Sequence, residues 1–261
     1  MIDDAARLIG REWAAFLELL GGSSWDSPTR LAGWTVEDLA RHVHWGMTLE
    51  ADALEIAAGS DDGHVDGHGG AVHGGTSVGE RRAAGVDLEG PRDQIVPALR
   101  RARARLLAAL AAVPTEPGTV LPMPYGDVPL ELGLQVFVME AAVHRSDLAH
   151  AVGADGLLAP DAHAAAATVL QAFWPALAAA AVATPPPGTA FLLRGTTVRV
   201  EVEYDGAGWG PPSGPPAVVV SGDDDAVLLA GYGRVPMDAA PVRVEGDRAL
   251  ARRLKEFVPG P

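Results

Sequence analysis

The 261-residue sequence contains no cysteine. That excludes disulfides, thiolate metal sites and a thiol nucleophile of the protein's own, so any sulfur chemistry must arrive with a cosubstrate. Lysine occurs once, as Lys255, and arginine supplies the other cationic side chains; with so much Ala, Gly and Pro this composition fits a GC-rich genome. Aromatic residues are few, at 5%. Long apolar runs are missing as well, since the stretch from Ala176 to Ala183 falls well short of the ~20 residues of a membrane-spanning helix. The N-terminus, Met1-Ile2-Asp3-Asp4, lacks a basic segment ahead of an apolar one, so no signal peptide is expected and the chain reads as cytosolic. Positive charge is outweighed, with a formal net charge of -14. Apart from Arg100, Arg101, Arg103 and Arg105 on one expected helix no basic cluster opposes it, and neither nucleic acid nor an anionic membrane is an expected partner.

What is present divides into an all-helical first part and a mixed second part. Helical spacing of Ala5, Leu8, Ile9, Trp13, Phe16 and Leu20 predicts a helix from about Asp4 to Leu20, stopped by Gly21-Gly22. A second helix begins after Thr35, an N-cap with Asp38 three residues on, and runs through Leu39, Val43, Met47 and Leu54. Residues 58–90 lose the period and read as a long loop containing His64, His68 and His73. Pro91 opens a third helix, in which Pro97 is expected to kink the first turns. A turn-rich connection from Pro122 to Pro129 leads into a fourth. Beyond Gly153 come an alanine-rich helix from Pro160 to Val182, strand-like segments at 191–193, 197–204, 217–220 and 242–244, and short helices at 224–230 and 247–257. The expected fold class is α+β, with a four-helix bundle over residues 1–155 and a small α/β domain over 156–261.

The fourth helix carries the chemistry. Glu140 and His144 stand four residues apart and share a face with Gly133, Val136, Phe137, Val143 and Leu148, so both are expected to point inward. An ionised carboxylate on an apolar face needs a cation beside it: an arginine, a protonated histidine or a metal ion. A metal site needs a third ligand from a neighbouring helix, and the second helix offers His42 and His44. His42 is the more inward of the two, and Gly46 one turn on leaves room beside it. Asp147, one turn beyond His144, is placed to orient that ring. Arg194, Arg199 and Arg243 are candidates to meet a polar cosubstrate, and Ser221 to Asp225 reads as a helix cap rather than a phosphate loop.

The segment from Leu31 to Val43, with Gly33-Trp34-Thr35 and Arg41-His42, resembles the mycothiol-dependent maleylpyruvate isomerase family. So do Tyr125-Gly126-Asp127-Val128-Pro129-Leu130 and the run Glu140-Ala141-Ala142-Val143-His144-Arg145-Ser146-Asp147. The resemblance implies a DinB-like bundle followed by a domain related to sterol-carrier folds, the latter through Val218 to Asp223 and Val244 to Leu250. It also implies a metal site of His42, Glu140 and His144, with zinc or another divalent ion such as nickel, cobalt or iron, and mycothiol as cosubstrate. Ser146 departs from the family, which often has an aromatic residue there, and that alters the expected packing around His144.

Two neutral imidazoles and one carboxylate around Zn2+ leave a net charge of about +1 and an open position, where an incoming thiol would lose its proton. The expected partners are a low-molecular-weight thiol and a small electrophile, with the protein a monomer or homodimer. If the thiol adduct rotates and expels the thiol, the enzyme is an isomerase; if it persists, a thiol S-transferase. The residues leave both open. They also leave a zinc-hydroxide hydrolase, which would require a general base although no inward carboxylate besides Asp147 is expected, and a non-catalytic metal- or ligand-binding protein.

Overall fold

The computed structural model describes residues 2–59, 87–123, 126–179, 181–237 and 241–259. The histidines of the expected long loop and Tyr125 lie outside them. The chain forms two compact units, Met1–Gly156 and Leu157–Pro261.

Four helices build the first unit: α1 (Ile2–Gly21), α2 (Val36–Ala57), α3 (Ile95–Ala112) and α4 (Leu130–Ala151). The apolar positions that set the period of α1, among them Ile9, Trp13 and Phe16, are all buried. Helix α2 starts as its sequence dictates. Thr35 accepts a bond from the Asp38 amide, and Asp38 accepts one from the Thr35 amide at 3.0 Å, so two otherwise orphaned donors are satisfied. Pro91 does not open α3; it precedes a 3-10 turn, Arg92–Gln94, and the α-helix begins at Ile95. Pro97 is then the third residue of α3, where its missing N–H is one the helix leaves unbonded anyway, and the expected kink has no cause.

Helix α1 packs chiefly on α4 and α2 on α3, with further α1–α3 and α2–α4 contacts closing the ring. The arginines of α3 tie this ring together: Arg105 pairs with Asp52 and Glu55 of α2, and Arg103 donates to the Gly10 carbonyl of α1 at 2.8 Å. Helix α4 is buried on several sides, with Val136, Phe137, Val138, Met139, Ala141, Ala142 and Val143 all enclosed. The segment before it was expected to be a turn-rich connection and is a β-hairpin, β1 (Val120–Met123) against β2 (Gly126–Pro129). Its Leu121 lies so near α4 that a Cβ on Gly133 would come within 2.5 Å of the Leu121 Cδ1.

The second unit begins with a 3-10 turn, Pro160–Ala162, and α5 (His163–Ala178). Its sheet comprises β3 (Thr189–Arg194), β4 (Arg199–Tyr204), β5 (Trp209–Gly210), β6 (Val218–Ser221) and β7 (Arg243–Gly246). The spatial order is β5-β4-β3-β6-β7, with β3 and β6 parallel and the other pairs antiparallel. Phe191, Leu193, Val200, Val202, Val218 and Val220 are buried in the sheet, and Trp174 of α5 meets Phe191 and Trp209. Between β6 and β7 lies α6 (Asp224–Gly231); the C-terminal segment expected as one helix is two, α7 (Arg248–Arg252) and α8 (Leu254–Phe257).

The run Ser221 to Asp225 caps α6 differently from expectation. Asp223 holds the N-cap position without a side-chain bond, while the Asp224 carboxylate accepts from the Thr197 and Val198 amides at 2.9 and 3.1 Å and from the Thr197 hydroxyl at 2.7 Å. It pins the β3–β4 turn to the start of α6. Among the described residues, no helix is long and apolar enough to cross a membrane.

Candidate metal centre

Helices α2 and α4 bring His42, Glu140 and His144 together, with one ligand atom from each lying within 4.8 Å of the others. The His144 Nε2 is 3.1 Å from Glu140 Oε2, and the His42 and His144 rings meet edge-on with centroids 5.0 Å apart. His42 is 6% exposed and His144 3%. Glu140, expected to point inward, keeps 38% of its side chain accessible, so the cluster has a closed imidazole side and a half-open carboxylate side. His44 is not part of it. Its ring is only partly buried, and burial followed by the nearby Arg101 charge holds it below the ordinary histidine range.

Both imidazoles have a carboxylate behind them. The His144 Nδ1 lies 3.4 Å from Oδ2 of Asp147, which is fully buried. An ionised carboxylate only accepts, so Nδ1 carries the proton and Nε2 is left to face the cluster. Burial works to lower the His144 pKa, but the bonds to Asp147 and Glu140 and their charges outweigh it and lift the ring above its ordinary value. A metal ion would compete with a proton for Nε2. On the other side Asp87 Oδ1 stands 3.8 Å from His42 Nδ1. Trp34 meets the His42 ring edge-on at 5.3 Å, and Trp45 stacks on it at 5.7 Å.

Other contacts fix α4. Glu12, buried on α1, accepts from Arg145 at 3.1 Å one residue from His144. Ser146, the departure from the family pattern, is buried; it donates to the Gly156 carbonyl, which also accepts from Arg30 at 2.9 Å. The small side chain thus leaves room for an arginine. Arg194, Arg199 and Arg243 fall in one row across the sheet, with Arg194 opposite Arg199 and Ser221, and Ser221 opposite Arg243. They are exposed; Arg199 pairs with Glu201 and Arg243 with Glu245, as solvated strand ends do.

Sequence reasoning missed Asp87, the packing of Trp34 and Trp45 on His42, and Glu50. Glu50 is 3% exposed, and its Oε2 has no hydrogen-bond partner among the described residues. It corrects the expectation that no inward carboxylate besides Asp147 stands in the bundle. The available signal was its place on the stripe of Val43, Met47 and Leu54, all buried. Asp87 has no such signal, since it follows the aperiodic stretch.

A sequence model described as the mycothiol maleylpyruvate isomerase N-terminal domain matches residues 6–149. No curated protein matches the chain. Among solved structures, that of a mycothiol-dependent maleylpyruvate isomerase superposes with a TM-score of 0.66 at 17% identity, over 94% of this chain and 93% of the other. A histidine-to-alanine mutant of a protein of that description gives the same TM-score at 18% identity, with the same coverage. At those identities the superpositions show a shared fold. Together with the sequence match over more than half its length, they establish that the chain belongs to the mycothiol maleylpyruvate isomerase family.

Proposed function

We propose that His42, Glu140 and His144 hold a divalent metal ion, most simply zinc, and that the protein is a cytosolic enzyme joining the thiol of mycothiol to an electrophilic carbon of a small substrate. The observation that carries this reading is the convergence of two buried imidazoles and one carboxylate in a chain without cysteine. The donor set suits such an ion in both kind and number, with Asp147 behind His144 to fix the ring. When bound, the ion would supply Lewis acidity that lowers the pKa of an incoming thiol, so that its proton passes to solvent.

The chain's own residues do the remaining work. Asp147 holds the Nδ1 proton of His144 and so keeps Nε2 available. Trp34 packs edge-on against the His42 ring and Trp45 stacks on it. Gly46 leaves open space, with nothing within 4 Å of where its Cβ would stand. Isomerisation and S-transfer use the same first step and differ in whether the thiol is expelled. Hydrolysis is the rival reading, and Glu50 gives it a carboxylate that sequence reasoning did not expect. Burial, and after it the Glu140 charge, pushes the Glu50 carboxyl well above the usual carboxylate range.

The test is metal content and thiol binding in protein purified without an affinity tag. We expect near-stoichiometric metal in the wild type, lost in His42→Ala, His144→Ala and Glu140→Gln, and a sulfur-to-cobalt charge-transfer band when mycothiol is added to cobalt-substituted protein. Turnover of an ester or amide without any thiol would replace this reading with hydrolysis. Folded wild type that binds no metal would remove both.

A further inference from the structure

His144 has its carboxylate, Asp147, on its own helix, whereas His42 finds one far along the chain: Asp87 Oδ1 stands 3.8 Å from His42 Nδ1. Both side chains are enclosed, at 8% and 15% accessible. Asp87 is not among the residues whose ligand atoms converge, so it is a neighbour of His42 and not a fourth ligand. At 3.8 Å the contact is electrostatic rather than a short hydrogen bond, and its sign still decides the tautomer. In an enclosed place a nitrogen lone pair directed at a carboxylate is repelled, and an N–H directed at it is attracted. The proton of the neutral ring therefore belongs on Nδ1, which leaves the Nε2 lone pair for an ion.

Asp87 is kept in reach of the ring by bonds on both sides of it in space. Arg41 Nη1 donates to the Leu88 carbonyl at 2.7 Å and Nη2 to the Gly90 carbonyl at 2.8 Å. Glu37, one turn earlier on α2, accepts from Arg41 Nε at 3.0 Å and from Arg92, which also reaches Asp26. Arg41 is 16% exposed and Glu37 19%, so this pair is shielded more than an ordinary surface pair. Arg41 and His42 are consecutive and so about 100° apart around α2. The chain that Arg41 grips at residues 88 and 90 thus brings residue 87 to the adjoining face of the same helix.

We propose that Asp87 is a positioning residue of the metal centre: its carboxylate keeps the His42 proton on Nδ1 and so assigns Nε2 to the ion, and Arg41 holds Asp87 beside the ring. The inference rests on the metal site proposed above and on no step of the thiol chemistry. Each histidine then binds through Nε2 with a carboxylate at its back, one supplied by α4 itself and the other by a segment that α2 holds through Arg41. Loosening the Arg41 grip acts on His42 and leaves His144 as it was.

The experiment uses full-length protein with isotopically labelled histidine, loaded with zinc: wild type, Asp87→Asn, Asp87→Ala and Arg41→Gln. Long-range proton–nitrogen correlation spectra, assigned through His42→Gln and His144→Gln, show which ring nitrogen carries hydrogen and which carries zinc. In the wild type we expect hydrogen on His42 Nδ1 and zinc on Nε2. Zinc affinity, read by competition with a chromophoric chelator, should fall at least about tenfold in both Asp87 variants, and in the same direction in Arg41→Gln. The His42 Nδ1–H signal should shift or exchange faster in these variants while that of His144 holds its place, a selectivity that general loosening of the bundle would not produce. If the variants fail to fold, the wild-type spectrum decides alone. Zinc on His42 Nδ1, a smaller fall in affinity in either Asp87 variant, or a His144 signal that moves as far as that of His42 overturns the role of Asp87 and leaves the metal centre standing. Wild type that takes up no zinc removes the metal centre, and the role of Asp87 with it.

Discussion

Asp147 is three residues from His144 and fully enclosed, and its carboxylate reaches the ring nitrogen that faces away from Glu140. Replacing it with an amide of the same shape lets the imidazole adopt the other tautomer and weakens the ring as a donor. For Asp147→Asn we expect metal affinity to fall about 10–100-fold, measured by competition with a chromophoric chelator, with far-UV circular dichroism unchanged. At this scale the sequence was readable where a residue's partner lay on its own helix. Glu140, His144 and Asp147 are separated by four and three residues, spacings that a helix turns into contact. His42 needed the further inference that two helices face each other. Asp87 was unreadable because its neighbour in space, His42, lies far from it in sequence, and Glu50 was passed over because an acid on an apolar stripe looks like an error in the pattern until its surroundings are known.

Among the elements, capping chemistry was readable and pairing was not. Thr35 and Asp38 announce the start of α2 through bonds made within four residues. The hairpin of β1 and β2 contains Pro122 and Pro129, which argue against strands, yet a two-stranded ribbon has free edges on both sides where a missing N–H costs little. Strand β5 spans two residues, too short for any alternation to register. The tie between α6 and the β3–β4 turn was hidden for a related reason, since Asp224 and Thr197 are distant in sequence. Burial works to raise the Asp224 carboxyl, but the bonds from Thr197 and Val198 and the His163 charge outweigh it and hold it below its ordinary value. A carboxyl lowered in the folded state contributes stability that is full above its unfolded pKa of ~3.9 and is lost as pH falls through the folded value. Asp224→Asn should therefore be less stable than wild type at pH 7, and the gap should close below about pH 4. Urea unfolding across that range checks it, and a gap that persists at the acid end would mean packing rather than charge.

Across the whole molecule, the proposed ligands sit on two helices with the stretch at 60–86 and all of α3 between them in sequence. An ion there would clip α2 to α4 and bind the folded chain alone, stabilising it by mass action, about 2.7 kcal/mol when free metal is at a hundred times its Kd. A chelator should lower the melting temperature of the wild type and leave that of His42→Ala where it was, as read by scanning calorimetry.

The site is built of nitrogen and oxygen donors, and the chain offers no sulfur of its own to exchange with a disulfide. Thiol–disulfide exchange begins with a thiolate attacking one sulfur of a disulfide. When a cell is under oxidative attack and its small thiol accumulates as the disulfide, this protein has nothing with which to be trapped as a mixed disulfide. On the function proposed above it would idle for want of reduced cosubstrate, and it would resume when the thiol pool recovers, with no cysteine to repair.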